Sequence, residues 1–486
     1  MPRSGPRWRT QQRHFIGNFA GMQITSCRLR SLTLALNAVF AVGAAHAATI
    51  TVTTTEDGSI PGECTLRDAT LASNDNTAHG GCVAGEAGHD DIVFAPGVAG
   101  TISLVSGQLT LAEDTTITGP GAGQLTIDGQ GASRIFDITG DASMQTVLSG
   151  MTLTGGRTTA DGDNGGAIRC MTAFEMVDSV ITGNSTAGQN SVGGGLFTAT
   201  TTVLTRTSVT GNWTEAYGGL AGGVMVAFGS ATLTDSTVAD NWTEGDTAGG
   251  GGIIVFWGWF DALFINSTVS GNATFGYNSQ AGGIAAGGAV TLVNSTVSGN
   301  ATFGAGAAAY AAAGGISTSG SVTLINSTVV DNIPQGGGVA INLAAPDTMT
   351  LTVSNSLIAN TVTTDGSDIT LCSKAIDGDG STHNLATDAS CGTDTLIASA
   401  STTPTDLALA PLAANGGPTK THALLPGSVA IDAADDDVCA GSQVANVDQR
   451  GQPRPMDGNG DGVIACDIGA YEAGSDTVFR DGFEAP

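Results

Sequence analysis

The sequence predicts an all-β chain: a single-stranded, right-handed parallel β-helix with a C-terminal cap. Three observations point there. One phrase recurs between Phe174 and Asn360, as FEMVDSVITGN, TVLTRTSVTGN, ATLTDSTVADN, ALFINSTVSGN, VTLVNSTVSGN and VTLINSTVVDN, with a slipped last copy. The closing asparagines, Asn184, Asn212, Asn241, Asn272, Asn300, Asn332 and Asn360, stand 28 to 32 residues apart. A glycine phrase leads into each copy, such as GGAI at 165, GGGL at 193 and GGGGI at 249. Self-similarity at this period marks a solenoid, whose units bury their apolar faces only against their neighbours. The phrases are short, rich in Val, Ile, Leu and Thr, and bounded by Gly and Asn, so each reads as strands joined by turns.

Stacked coils create columns. Eight residues before the closing Asn lie Met176, Leu204, Leu233, Phe264, Leu292 and Leu324. Three before it lie Ile181, Val209, Val238, Val269, Val297, Val329 and Leu357. Both columns are apolar throughout and are expected to face the core. The residue just before the Asn is mostly Gly or Asp, which suits a turn at positive φ. The asparagines themselves are expected to form a ladder of side-chain amides. Six before the Asn, the column reads Asp178, Arg206, Asp235, Asn266, Asn294, Asn326. Arg206 between two aspartates is read as a stacked ion-pair ladder passing into asparagines.

Taken in order, residues 1–47 read as a secretion signal: Arg28 and Arg30, the apolar run LTLALNAVFAVGA, then the small-x-small site Ala45-His46-Ala47. Residues 48–157 hold irregular early coils, 158–360 the regular coils, 361–473 the cap, and 474–486 a tail read as a sorting tag. No other segment is a candidate membrane span. Residues 1–47 carry six of the 16 basic residues and none of the 44 acidic ones, so the remainder has a net charge of −34. Such a chain repels nucleic acid, anionic polysaccharide and anionic membranes. Only 12% of the chain is charged and 72 residues are Gly, which with 41% hydrophobic content fits an ordered β-repeat protein. Cys27 leaves with the signal. Local spacing pairs Cys64 with Cys82, Cys372 with Cys391 and Cys439 with Cys466, leaving Cys170 as a small buried hydrophobe.

Two stretches resemble known families. CTLRDA at 64–69, DIVFAPG, TITGPG, LTIDG and MTLTGG at 151–156 are similar to the CSLREA-type bacterial secreted β-helix proteins, departing at Thr65 and Asp68. LAPLAANGGPTKTHALLPGSVAID, ending at Asp432, with DQRGQPRP at 448–455 and DIGAYE at 467–472, resembles the choice-of-anchor Q domain. The resemblance implies a bacterial protein that is secreted or held at the cell surface. It implies no activity.

Three places are candidates for function. Many pectin-degrading enzymes share this pectin-lyase-like solenoid, so an enzyme is weighed first. From Thr207 to Ser373 there is no Lys, Arg or His. A lyase acting on polyuronate needs a cationic base and groups to hold carboxylates, which this stretch lacks. A glycosidase needs only paired carboxylates, and Asp235 and Asp240 lie on one phrase. The second place is an aromatic strip: Trp213 and Trp242 follow a closing Asn directly, and Phe275 and Phe303 lie three beyond one, with Tyr217 and Tyr277 near. It reads as a glycan-contact strip, or as an aromatic stack covering the coil edge. FWGWF at 256–260 reads as a patch for a partner or as a strand under a loop. The third is DGNGDGVIACD, where Asp457, Asn459, Asp461, the Val463 carbonyl and Asp467 could hold calcium. Position 12 is Ile468 rather than Glu, so this is not an EF-hand, and an Asp/Gly turn that binds nothing is the alternative. The preferred reading is a non-enzymatic protein for adhesion, glycan contact or structure. The alternative is a secreted carbohydrate-active enzyme on a neutral polysaccharide.

Overall fold

The computed structural model describes residues 48–140, 143–247, 249–256, 258–276, 281–303, 313–334, 338–359, 370–378, 380–392 and 404–474. The signal at 1–47, the slipped copy's Asn360, Tyr277 and the tail from 475 lie outside the described residues. The chain winds as a parallel β-helix. One coil contributes Ala231–Thr234 to a first sheet, Thr237–Ala239 to a second, Trp242–Thr243 to a short fourth and Ile253–Val255 to a third. The first and second sheets each hold 11 strands, the third 10 and the fourth 6. Every pairing between coils within these sheets is parallel, with Leu204, Leu233, Phe264, Leu292 and Leu324 in register.

The inward columns are as expected: Met176, Leu204, Leu233 and Phe264 are fully buried, as are Ile181, Val209 and Val238. One residue departs. The last copy is a residue shorter, so Ile358 pairs with Val329 in the core column and Leu357 pairs with Thr328 on the outer face. A one-residue slip reverses the facing of a strand, which is why counting back from Asn360 misplaced Leu357.

The glycine phrases and the asparagines are two sides of one contact. Asn184, Asn212, Asn241, Asn272, Asn300 and Asn332 are fully buried. From Asn184 to Asn300 each Nδ2 donates to the next Oδ1 at 2.8–3.0 Å, as from Asn212 to Asn241 and from Asn272 to Asn300, while Asn332 Nδ2 donates to the carbonyls of Val297 and Val330. The same Oδ1 also accepts the preceding coil's backbone N–H, for example Asn212 N at 3.0 Å. A Cβ at Gly223 would stand 3.0 Å from the Asn241 side chain, and Gly195, Gly252 and Gly283 face Asn212, Asn272 and Asn300 alike. The glycine leaves room for the ladder, and the ladder satisfies backbone groups that burial would otherwise strand.

The turn between the first and second sheets demands left-handed backbone. Asp178, Arg206, Asp235, Asn266, Asn294, Asn326 and Asn355 all lie at φ 45–50°. Asn and Asp tolerate that region, which accounts for the column better than an ionic ladder does. Arg206 does pair with Asp178 at 2.6 Å, but both side chains are half exposed, and Asp235 receives only Asn266 Nδ2 at 3.1 Å.

The ends are closed differently. At the N-terminal end stands a helix, Leu66–Asp75, where the sequence was read as strands only. Thr65 caps it by accepting Asp68 N, and Leu66, Ala69 and Ala72 seal the core. At the other end residues 370–378 and 380–391 add a last strand to the third and second sheets, Thr370–Cys372 and Leu385–Ala386, and offer the first sheet side-chain oxygens in place of another strand. Asp377 Oδ2 takes Leu351 N at 2.7 Å, Ser381 Oγ takes Val353 N at 3.0 Å and Asn384 Oδ1 takes Ser356 N at 3.0 Å. This satisfies the edge and blunts it against pairing with another chain.

Of the segment 361–473 read from sequence as a cap, the part from 404 onward lies along the outer face of the second sheet instead of over the end. Gln449 is buried there: its Oε1 accepts from Thr296 Oγ1 at 2.6 Å, and its Nε2 donates to Thr268 Oγ1 at 2.8 Å. Asn294 Nδ2 donates to Val447 O, Asn355 Nδ2 to Asp435 O, and Ala470 N to Thr328 Oγ1. A second small core forms between Leu407, Leu424, Ile468 and Tyr471 of this segment and Val330, Leu357 and Ala359 of the solenoid. The disulfides Cys64–Cys82, Cys372–Cys391 and Cys439–Cys466 form as paired from sequence. Cys170 is buried, and burial pushes its thiol up to about 11.

Candidate functional site

The fourth sheet carries the aromatic residues. Its outward column runs Arg157, Ser185, Trp213, Trp242, Ala273, Ala301. Its inward column is threonine throughout, from Thr158 to Thr302. Two residues beyond the last four outward positions stand Glu215, Glu244, Phe275 and Phe303. The aromatics therefore change column halfway. Trp213 and Trp242 stack at 5.1 Å between ring centroids with planes 3° apart, and Phe275 and Phe303 stack at 5.2 Å and 13°.

The expected strip of four thus becomes two pairs, and within each pair one ring covers a face of the other. A sugar stacking on these residues needs a ring face that no neighbour occupies. Trp242 has one, because the next coil puts Ala273 where another Trp would continue the stack. The notch left by that exchange is an open groove of about 350 Å³, lined by Asp240, Asn241, Trp242, Gly271, Ala273 and Phe275. Asp240 is exposed at φ 54°, and a Cβ on Gly271 would collide with its Oδ1, so the carboxylate lies across that glycine. Each indole is also held from the side. Trp213 Nε1 donates to Glu215 at 3.0 Å, and Trp242 Nε1 to Glu244 at 2.9 Å. Arg157 binds Glu215 through both terminal nitrogens, and this guanidinium holds the Glu215 carboxyl below its ordinary value.

The groove itself was not read from the sequence. Its signal was present as the change from Trp to Ala after the closing Asn, at Ala273 and Ala301. Asp235 and Asp240 sit at opposite ends of the strand Thr237–Ala239, and only Asp240 lines the groove. Of the FWGWF run, Trp259 is 87% exposed and Phe260 packs on the core.

The residues read as a calcium loop stand in two settings, one exposed and one buried. Asp457 accepts from Gly460 N and Gly462 N, Asn459 from Asp461 N, and Asp461 from Val463 N, all within one exposed turn. Asp467 is fully buried instead, taking Asp432 N and Ala473 N, and its carboxyl is pushed up to about 7 by burial. Among the described residues no group of three or more His, Cys, Asp or Glu is placed to hold a metal ion.

The sequence matches no protein-family model and no curated protein. Among solved structures, the chain is similar to pectate lyase Pel9A, at 14% identity and a TM-score of 0.45, covering 88% of this chain and 98% of that one. It is also similar to the A-module of the mannuronan C-5 epimerase AlgE4 of Azotobacter vinelandii, at 13% identity and a TM-score of 0.31, covering 69% and 91%. Likeness at this level carries nothing about chemistry. Among the described residues no helix is long and apolar enough to cross a membrane.

Proposed function

We propose that this is an extracellular or cell-surface β-helix protein that contacts neutral glycans through its aromatic face. The observation that carries the reading is the open face of Trp242 beside Asp240: a platform for a sugar ring and an acceptor for its hydroxyls. Three disulfides fit an oxidising compartment. The CSLREA and choice-of-anchor resemblance adds a bacterial secreted setting, and it rests on the quoted motifs alone. A net charge of −34 after residue 47 argues against anionic polymers as ligands.

A second reading is a carbohydrate-active enzyme on a neutral polysaccharide. Asp240 is the groove carboxylate that such chemistry would use. One carboxylate does not make the acid and base pair of a glycosidase, so binding without turnover is the preferred reading. A glycan array read in parallel with reducing-sugar release separates the two. Binding that disappears in Trp213→Ala/Trp242→Ala, with no sugar released, supports contact alone. Release that stops in Asp240→Asn would establish the enzyme. Binding unaffected by the double Trp variant would remove the aromatic face from the account.

A further inference from the structure

The charge around the two indoles differs by one coil, and that difference bears on which sugar the notch takes. Glu215, beside Trp213, is neutralised by Arg157, which reaches it across two coils. Glu244 holds the indole N–H of Trp242 in the same way, but the position equivalent to Arg157 is Ser185. Asp240 stands on the same rim. Among the described residues neither Asp240 nor Glu244 forms an ion pair, and from Thr207 to Ser373 the chain offers no cation to make one. The Trp213 end is therefore balanced, while the notch end keeps two exposed carboxylates beside an open indole face.

Resting on the glycan reading above, we infer that the notch prefers sugars bearing a protonated amine over the same sugars acetylated or neutral. Three effects favour the ammonium. A carboxylate accepts its N–H in a charge-assisted bond, stronger than one to a hydroxyl. An indole face attracts a cation through its quadrupole. The negative field of the coils, to which residues 207–373 contribute no cation, raises the local concentration of cationic polymer. Acetylating the amine keeps the ring and its stacking and removes all three.

The test is calorimetry on the full mature chain, with β-linked glucosamine oligomers and their N-acetylated counterparts of equal length, at low and high salt. The free-amine oligomer is expected to bind about tenfold tighter or more at low salt, with the preference lost in Asp240→Asn/Glu244→Gln. In Trp242→Ala both oligomers are expected to weaken. Equal affinity for the two oligomers overturns the amine inference and leaves glycan contact standing. A preference that persists in the double carboxylate variant also overturns it, assigning selectivity to the net charge of the whole molecule. Binding of neither oligomer, nor of any neutral glycan, removes the glycan reading as well.

Discussion

The outer face of the second sheet divides into two halves that share one architecture and meet different fates. In the early coils, Thr152, Val180, Ser208 and Thr237 stand half-buried at the surface. In the later ones the residues in register, Thr268, Thr296 and Thr328, are buried under the C-terminal segment and bonded to it. The inward columns are alike in both halves, so the solenoid's core does not explain the difference. The outward residues do. Small hydroxyls serve either solvent or a docked chain, whereas Val330, Leu357 and Ala359 in the last coils are apolar and need a cover. A repeat thus fixes its core by pattern and leaves its outer face free to specialise coil by coil. The aromatic notch is the same lesson on another face.

The largest way to break this contrast is at Arg454. It is fully buried, with Glu472 Oε2 at 3.5 Å and Asp467 close by. Arg454→Met leaves the buried Glu472 and the carbonyls of Asp467 and Gly469 without their partner and is expected to cost about 3–5 kcal/mol. Hydrogen exchange would register this as lost protection at Thr268 and Thr296 with Ser208 unchanged. Loss spread evenly over both halves would show that the segment is not a separate layer.

Gln449 comes next. Gln449→Ala removes its bonds to Thr268, Thr296 and Thr419, and a loss of about 2–3 kcal/mol is expected in chemical denaturation. Thr210→Ala on the open half is its control and should change stability by less than about 0.5 kcal/mol.

A smaller effect comes from pH. Arg454 faces three acidic groups, Glu472, Asp448 and Asp467, and burial raises two of them, Asp467 to about 7 and Glu472 to about 8. A buried acid whose folded pKa is raised keeps a proton that the unfolded chain has already released. Its contribution is therefore lost as pH rises through the folded value. His422, buried against Ser298 and lowered by burial, titrates on the acid side and does not counter this above about pH 6.5. Raising pH from 6.5 to 9 should loosen the covered half in hydrogen exchange and leave the open half as it was.

Arg206→Ala should have the smallest effect. The Arg206–Asp178 pair is half exposed, and surface pairs contribute little. An unchanged melting temperature is expected, and a clear drop would restore the ionic ladder that the sequence first suggested.

Much of this architecture was legible before any coordinates. Period, columns and asparagine ladder follow from spacing, because stacked coils repeat the same environment, and the disulfide pairing follows from the closeness of the paired cysteines in sequence. The failures have a common cause: they lie where the repeat stops dictating the environment. Leu357 was misplaced because a single deletion shifts register invisibly when the closing Asn is taken as the anchor. The helix at Leu66–Asp75 was passed over although Thr65 and Asp68 spell an N-terminal capping pattern. The segment from 404 onward was put over the end because a solenoid's need for a cap does not say where the cap sits. The groove was missed because it is made by an absence, alanine where tryptophan had been, and reading for aromatic residues does not register their replacement.

The most direct measurement is a crystal structure of the chain with an oligosaccharide selected on the array. The account predicts a sugar ring against the open face of Trp242, with a hydroxyl or amine on Asp240. Sugar bound instead on the open threonine face of the second sheet, with the notch empty, would contradict it.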